Sequence, residues 1–168
     1  MIGLTPQRFE TLCSQAVESH KEAPVAEDPS VMVTSRQYSL LLPGTYLPPH
    51  RHDDPKGWEV VMCMEGEALV FTFDHQGRIT QRVALSAHYS DSKKLAALEI
   101  PPLTWHTVVT TSSDTLLMQV RPYPTNDDSY AEAAPFAPHP DTSDAPSYLA
   151  WMLYARVGMS FLDIGYSY

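Results

Sequence analysis

Cysteine is scarce in this sequence, which contains Cys13 and Cys63 and no CxxC spacing. A disulfide framework or a thiolate metal site needs several cysteines at suitable spacings, so the sequence disfavours both kinds of site. Each cysteine falls in an apolar pattern. We therefore expect both of them to be small, buried core residues.

Long apolar runs and basic clusters are also missing. No apolar run approaches the roughly 20 residues of a membrane-spanning helix, and the first residues do not resemble a signal peptide. The 11 Lys and Arg residues are outnumbered by 20 Asp and Glu residues, which gives a formal net charge of −9. We therefore expect a cytoplasmic protein that binds neither a membrane nor nucleic acid.

What the sequence does contain is 15 prolines among 168 residues, of which 43% are hydrophobic. This composition is typical of a single globular domain with many rigid turns. The pattern divides that domain into three segments. Residues 1–30 form an N-terminal helix and a connection, residues 31–121 form a β-barrel, and residues 122–168 form a proline-rich loop and a C-terminal helix.

From residue 31 onward, short apolar runs alternate with turns that contain Gly, Asp or Ser. The predicted strands are Val31–Val33, Gln37–Leu42, Tyr46–His52, Glu59–Met64, Glu67–Phe73, Ile79–Leu85, Leu95–Ile100, Thr104–Thr110 and Thr115–Val120. Many short strands without helices between them indicate an all-β fold, either a small antiparallel barrel or a jelly roll.

Two helices are predicted outside the strands. The first begins at Thr5-Pro6, and the second runs from Tyr148 to about Leu162. The second is apolar nearly all round, so we expect it to be buried, packed on the same domain or against a partner. Strands such as Glu67–Phe73 are apolar on both faces, so their outer face must pack on the N-terminal helix or on a second subunit. This feature favours a homodimer.

Three histidines and one carboxylate recur at spacings that suit a metal site. His50 and His52 lie on the same side of an extended strand, because side chains alternate with period two. Glu59 opens the next predicted strand, and His106 lies within a later one. Three imidazoles and a carboxylate suit one divalent first-row transition metal, such as Fe, Mn, Zn or Ni, without selecting among them.

These residues also have simpler interpretations. Residues 50–54 fit a solvated charged loop, and His106 fits a hydrogen-bonded core histidine. Asp53 and Asp54 would be the alternative oxygen ligands if Glu59 faced outward. The other histidines have no neighbouring candidate ligands and are not predicted to bind metal; they are His20, His75, His88 and His139.

Two further residues are candidates for binding a small-molecule substrate. Arg36 carries a charge that suits a phosphate or carboxylate, and it fits a surface or interface salt bridge equally well. Tyr46 shares the predicted strand parity of His50 and His52, which would place it at the pocket. Alternatively, it is a core aromatic residue whose hydroxyl finds a partner nearby.

The histidine-bearing segments resemble the two motifs of the cupin superfamily. The first resemblance is Gly44-x5-His50-x-His52-x6-Glu59-x6-Gly66, and the second is Pro101-Pro-Leu-Thr-Trp-His106. More narrowly, the stretch 36–123 resembles the WbuC-type cupin-fold metalloproteins. The resemblance implies a small β-barrel that binds one divalent metal ion through His50, His52, Glu59 and His106.

The sequence departs from the general cupin motifs in two places. Six residues separate His52 from Glu59, where three or four are usual. Leu103 and Thr110 occupy positions that usually hold glycine and asparagine. Because leucine resists positive φ, we expect the turn before His106 to differ from that of other cupins.

The WbuC-type proteins are associated with bacterial surface-polysaccharide gene clusters. By resemblance, we expect a metal-dependent enzyme that acts on a small oxygen-rich metabolite such as a sugar derivative. The reaction would be isomerisation, epimerisation or hydrolysis with Zn or Mn, or oxygenation with Fe(II). The alternatives are a non-catalytic metal- or sugar-binding module or sensor, and a metal-free cupin whose histidines act as acid/base groups.

Overall fold

The computed structural model describes residues 11, 23–24, 35–53, 55, 57–88, 93–122 and 131–163. Within these ranges the chain folds into two antiparallel sheets of five strands each. The sheets face each other without closing into a barrel, so the all-β prediction is confirmed in its jelly-roll form. No helix in the described ranges is both long and apolar enough to cross a membrane.

The strands are numbered in chain order. They are β1 (Ala23–Pro24), β2 (Ser35–Leu41), β3 (His50–His52), β4 (Glu59–Glu65), β5 (Glu67–Phe73), β6 (Ile79–Ser86), β7 (Ala97–Ile100), β8 (Trp105–Thr110), β9 (Thr115–Arg121) and β10 (Ala131–Ala133). The first sheet has the order β1-β2-β9-β4-β7, and the second has the order β10-β3-β8-β5-β6.

One apolar core fills the space between the two sheets. Strand alternation directs every second residue of each strand into this space. Its buried members are Leu41, Val61, Cys63, Ala68, Val70, Leu85, Ile100, Val108 and Leu117. Cys63 is a free, buried thiol, as predicted, whereas Cys13 lies outside the described residues.

A second apolar core covers the outer face of the second sheet. Helix α1 (Ala145–Tyr154) places Tyr148 and Met152 against Phe71 and Phe73 of β5. The C-terminal helix therefore covers part of this face, for which we predicted the N-terminal helix or another subunit; the N-terminal helix lies outside the described residues. Because α1 supplies the missing apolar surface, the outer face of β5 gives no support to the predicted homodimer, which stays a prediction.

Helix α1 is shorter than the sequence indicated and begins earlier. It starts at Ala145, since proline at position 146 is tolerated in the first helical turn. It ends at Tyr154, where Ala155 becomes extended, and a separate 3₁₀ turn covers Phe161–Asp163.

Two strand predictions differ from the structure. The strand predicted over Tyr46–His52 begins only at His50, because Pro48 and Pro49 have no amide hydrogen to donate to a ladder. Strand β10 lies in a segment predicted to be a loop, and it pairs with β3. The N-terminal helix, apart from the helical residue Thr11, and the strand Val31–Val33 lie outside the described residues.

Candidate metal centre

The predicted ligands converge between the two sheets. On β8, alternation sends Trp105 to the outer core and His106 into the space between the sheets. His50 pairs directly with His106 across β3 and β8, which places both imidazoles on the same face. Glu59 begins β4 in the opposite sheet, so the site bridges the two layers.

The three imidazoles and the carboxylate are in close contact. One nitrogen from each of His50, His52 and His106 forms a group in which all members lie within 4.8 Å of one another. Glu59 Oε2 lies 2.9 Å from His52 Nε2 and 3.2 Å from His106 Nε2. His52, Glu59 and His106 are all buried. The structure therefore brings together all four residues that the sequence singled out.

The other candidates are not part of this group. Asp53 is exposed and Asp54 lies outside the described residues. Glu59 is buried and faces inward, so the condition under which Asp53 or Asp54 would be the alternative oxygen ligand is not met. The remaining described histidines are all exposed, namely His75, His88 and His139, and His20 lies outside the described residues.

Backbone carbonyls fix the tautomers of two of the histidines. His106 Nδ1 lies 2.8 Å from the Thr104 carbonyl oxygen, and His50 Nδ1 lies 3.1 Å from the Pro48 carbonyl oxygen. A carbonyl oxygen can only accept, so we assign the proton of each neutral ring to Nδ1. The Nε2 atom of each ring then keeps its lone pair and is available to bind a cation.

The surroundings of these lone pairs fit a cation. Among the described residues, the buried His106 Nε2 has no hydrogen-bond partner, and its nearest carboxylate oxygen is on Glu59. A nitrogen lone pair and a carboxylate oxygen repel each other unless a proton or a metal ion lies between them. Three imidazole nitrogens and one carboxylate are a donor set that suits a divalent transition metal.

Burial sets the charge states of the site. Desolvation, with a smaller contribution from nearby His106, lowers the pKa of His50 to about 3, so this imidazole is neutral at neutral pH. Burial alone would raise the pKa of Glu59, but the adjacent His106 and His52 rings, each able to place a proton between its Nε2 and the carboxylate, hold this pKa well below its usual range. Glu59 is therefore an ionised carboxylate.

A hydrogen-bonded chain holds Glu59 in place. Gln119 Nε2 donates to Glu59 Oε1 at 2.7 Å, and Ser39 Oγ donates to Gln119 Oε1 at 2.8 Å. All three residues are buried. Gln119 and Ser39 were not predicted from the sequence. Their signal was strand alternation, because each polar side chain lies at an inward-facing position of β9 or β2.

Arg121, at the end of β9, was likewise not predicted from the sequence. Arg121 NH1 lies 3.4 Å from His52 Nδ1, and Arg121 NH2 donates to Gln37 Oε1 at 3.1 Å. The signal that could have revealed it is strand parity, because Arg121 follows Gln119 by two residues and faces the same side.

The two predicted substrate-binding residues lie elsewhere. Arg36 is exposed and alternates with Gln37 on β2, so it faces away from the site. The Tyr46 hydroxyl donates to the Pro138 carbonyl at 2.9 Å, and its ring packs edge-on against Tyr148 in the outer core. The structure does not bring either residue among the histidines, and their role in binding a substrate stays a prediction.

The turn before His106 has the positive φ that its leucine was expected to resist. Leu103 has a φ of 57°, which lies in the left-handed region. We expected this turn to differ from a glycine-containing turn because leucine resists positive φ. For the φ of residue 103 that expectation is wrong. The leucine adopts the strained conformation while it is 42% exposed, so no close packing opposes it.

Solved structures with the same architecture identify the fold. CapF with the inhibitor 3-isopropenyl-tropolone is 13% identical over 67% of this chain and 30% of that chain, with a TM-score of 0.51. A mutant of the oxalate decarboxylase OxdC from Bacillus subtilis is 19% identical over 67% of this chain and 27% of that chain, with a TM-score of 0.50. The fold is that of the cupins. At these identities the likeness concerns the fold alone.

A further likeness is to a protein from Shewanella oneidensis, which is 16% identical over 65% of this chain, with a TM-score of 0.49. The chain spans 66% of that protein and less than a third of CapF and of the oxalate decarboxylase.

Sequence comparison adds one family match. Residues 4–85 match the family model described as a domain of unknown function, DUF6016. This match includes three of the four clustered residues, His50, His52 and Glu59. No curated protein sequence matches the chain.

Proposed function

We propose that this cupin binds one divalent transition metal ion, such as Fe, Mn, Zn or Ni, through His50, His52, Glu59 and His106. The observation that carries the proposal is the buried Nε2 atom of His106. Its lone pair faces an ionised carboxylate and has no hydrogen-bond partner among the described residues. A bound cation would remove this repulsion and use the lone pair.

The chain's own residues prepare the site for this role. The Thr104 and Pro48 carbonyls hold two imidazoles in the tautomer that presents Nε2. Gln119 fixes the orientation of the Glu59 carboxylate. When bound, a metal ion with open positions polarises a carbonyl or hydroxyl group and lowers the pKa of bound water.

The substrate class follows from the resemblance to WbuC-type proteins. The segments that carry this resemblance include Pro49–His52 and Thr104–Val108, which contain the three clustered histidines. We infer a metal-dependent enzyme that acts on a small oxygen-rich metabolite, such as a sugar derivative in surface-polysaccharide biosynthesis. His50 and the neighbouring Arg121 are partly exposed, whereas His52, Glu59 and His106 are buried.

The direct test is the metal content of protein purified without a histidine tag and then supplied with Zn, Mn, Fe or Ni. We expect about one equivalent of one of these metals in the wild type. His106→Ala should lose most of this metal because it removes a buried ligand, whereas His88→Ala should not, since His88 is exposed and lies outside the cluster.

Two results would contradict the proposal. If both variants lost metal equally, the assigned ligands would be wrong. If the wild type took up none of the four metals, the histidines would be acid/base groups of a metal-free cupin.

A further inference from the structure

Arg121 places a positive charge beside the proposed metal ligands. Its guanidinium contacts the His52 ring through NH1 at 3.4 Å, and it is close enough to Glu59 to help lower the pKa of that carboxyl. The side chain is only partly buried. It therefore combines contact with a buried ligand residue and partial exposure.

The hydrogen bonding of this guanidinium is incomplete. Its two terminal nitrogens contact neutral groups, His52 Nδ1 and Gln37 Oε1. Its Nε atom is buried and has no hydrogen-bond partner among the described residues. In the same residues, no carboxylate forms an ion pair with Arg121. A buried donor on a charged group is costly to leave unpaired, so this arrangement favours an acceptor that arrives with a ligand.

Metal binding would leave the Arg121 guanidinium with still fewer hydrogen-bond acceptors. A neutral imidazole that binds a metal through Nε2 carries its proton on Nδ1. His52 Nδ1 would then be a donor and could no longer accept from Arg121 NH1. Two nitrogens of Arg121, Nε and NH1, would then have no acceptor among the described residues.

We propose that Arg121 binds the carboxylate of a small 2-hydroxy- or 2-oxo-carboxylate whose neighbouring oxygens coordinate the metal; this inference rests on the proposed function. The charges support an anion. A divalent ion, Glu59 and Arg121 together carry a net charge of +2, which attracts and retains an anionic ligand. A planar carboxylate also matches the fork of donors on a guanidinium. Arg121 is thus a substrate-binding residue, and sugar acids are a suitable substrate class.

The test compares two small ligands that differ in charge. Glycolate and its neutral analogue glycolamide are titrated into cobalt(II)-loaded protein, and binding is followed by calorimetry and by the visible cobalt spectrum. The proteins are the wild type, Arg121→Gln, Arg121→Lys and the matched control Arg82→Gln, which removes an exposed arginine from the outer face of β6. Cobalt content is measured for every protein first.

We expect the wild type to prefer glycolate over glycolamide. Arg121→Gln should keep its cobalt but bind glycolate roughly 10- to 100-fold more weakly, the factor expected for a lost charge-assisted hydrogen bond. Its affinity for glycolamide should be nearly unchanged. Arg121→Lys should lie between the two, and Arg82→Gln should behave like the wild type.

Several results would overturn the inference. A wild type that loads cobalt but does not prefer glycolate would contradict it and leave the metal proposal intact, whereas a wild type that loads no metal would contradict both. Loss of cobalt from Arg121→Gln would make Arg121 a positioning residue for His52 instead. Equal weakening of glycolate binding in Arg121→Gln and Arg82→Gln would show that the loss reflects net charge alone and would also overturn the inference.

Discussion

Leu103 shows how one strained residue positions a ligand. Its φ of 57° turns the chain immediately before Thr104, whose carbonyl oxygen orients the His106 ring. A side chain with a Cβ in the left-handed region costs roughly 1–2 kcal/mol relative to an ordinary conformation. Because 42% of Leu103 is exposed, packing offsets little of this cost. The strain is thus retained at the edge of the proposed metal centre.

Leu103→Gly should therefore stabilise the protein. Relief of the strain is partly offset by the greater freedom of glycine in the unfolded chain, about 0.5–1 kcal/mol, so we expect a gain of up to roughly 1 kcal/mol in the free energy of unfolding. Urea denaturation measures this gain. The matched control is Leu95→Gly, at an exposed leucine outside the positive-φ residues, which should lose stability. Equal losses in both variants would show that Leu103 is unstrained.

The sequence alone predicted the four clustered residues but not the residues that hold them. Period-two spacing singled out His50 and His52, and the resemblance to the cupin motifs supported His106. Both signals were usable because histidine is an uncommon residue with specific chemistry. Gln119 and Arg121 carried no such signal. Many polar residues alternate along strands, and only the pairing of β4 with β9 shows that these two face Glu59.

At the scale of elements, Tyr46 does not share the face of His50 and His52, although all three residues have the same parity. Two residues of equal parity share a face only while the chain between them stays in one strand. Pro48 and Pro49 interrupt that strand, and β3 contains only His50–His52. Tyr46 consequently packs in the outer core with α1. The same rule holds for His50 and His52 because β3 is paired on both sides.

The turn between β4 and β5 depends on Gly66 for two reasons. Its φ is +76°, and a Cβ at this position would clash with the Asp114 carbonyl oxygen. Gly44 has a similar φ of +87° but open space around it. Comparing the two glycines therefore separates the cost of a positive φ from the cost of a steric clash.

Gly44→Ala should lower the free energy of unfolding by roughly 1–2 kcal/mol, the cost of the strained φ alone. Gly66→Ala should cost about 1–3 kcal/mol more, since the backbone of residue 114 must move. Thermal and urea denaturation of both variants test this difference. Similar losses would mean that the contact between the two turns is looser than the structure shows.

At the scale of the whole molecule, the second sheet separates two apolar cores. One lies between the sheets and the other lies under α1. The sequence indicated that the C-terminal helix is buried, but an apolar helix matches any apolar sheet face. Its position against β5 could be learned only from tertiary contacts. Both cores are formed by side chains without any help from an ion, so the fold should persist without metal.

Chelation should therefore lower the melting temperature without unfolding the protein. A ligand at a hundredfold excess over its Kd stabilises the native state by about 2.7 kcal/mol, which corresponds to a shift of roughly 5–10 °C for a chain of this size. Far-ultraviolet circular dichroism at 25 °C should show unchanged strand content after removal of the metal. Complete unfolding on chelation would contradict this expectation and identify a structural metal site.

The central claim is that His50, His52, Glu59 and His106 surround one divalent metal ion. X-ray absorption at the K-edge of the zinc-loaded protein measures the first coordination shell directly. We predict imidazole scattering from three histidines together with oxygen, at about 2.0–2.2 Å. A shell that contains sulfur, or that lacks imidazole scattering, would contradict the claim.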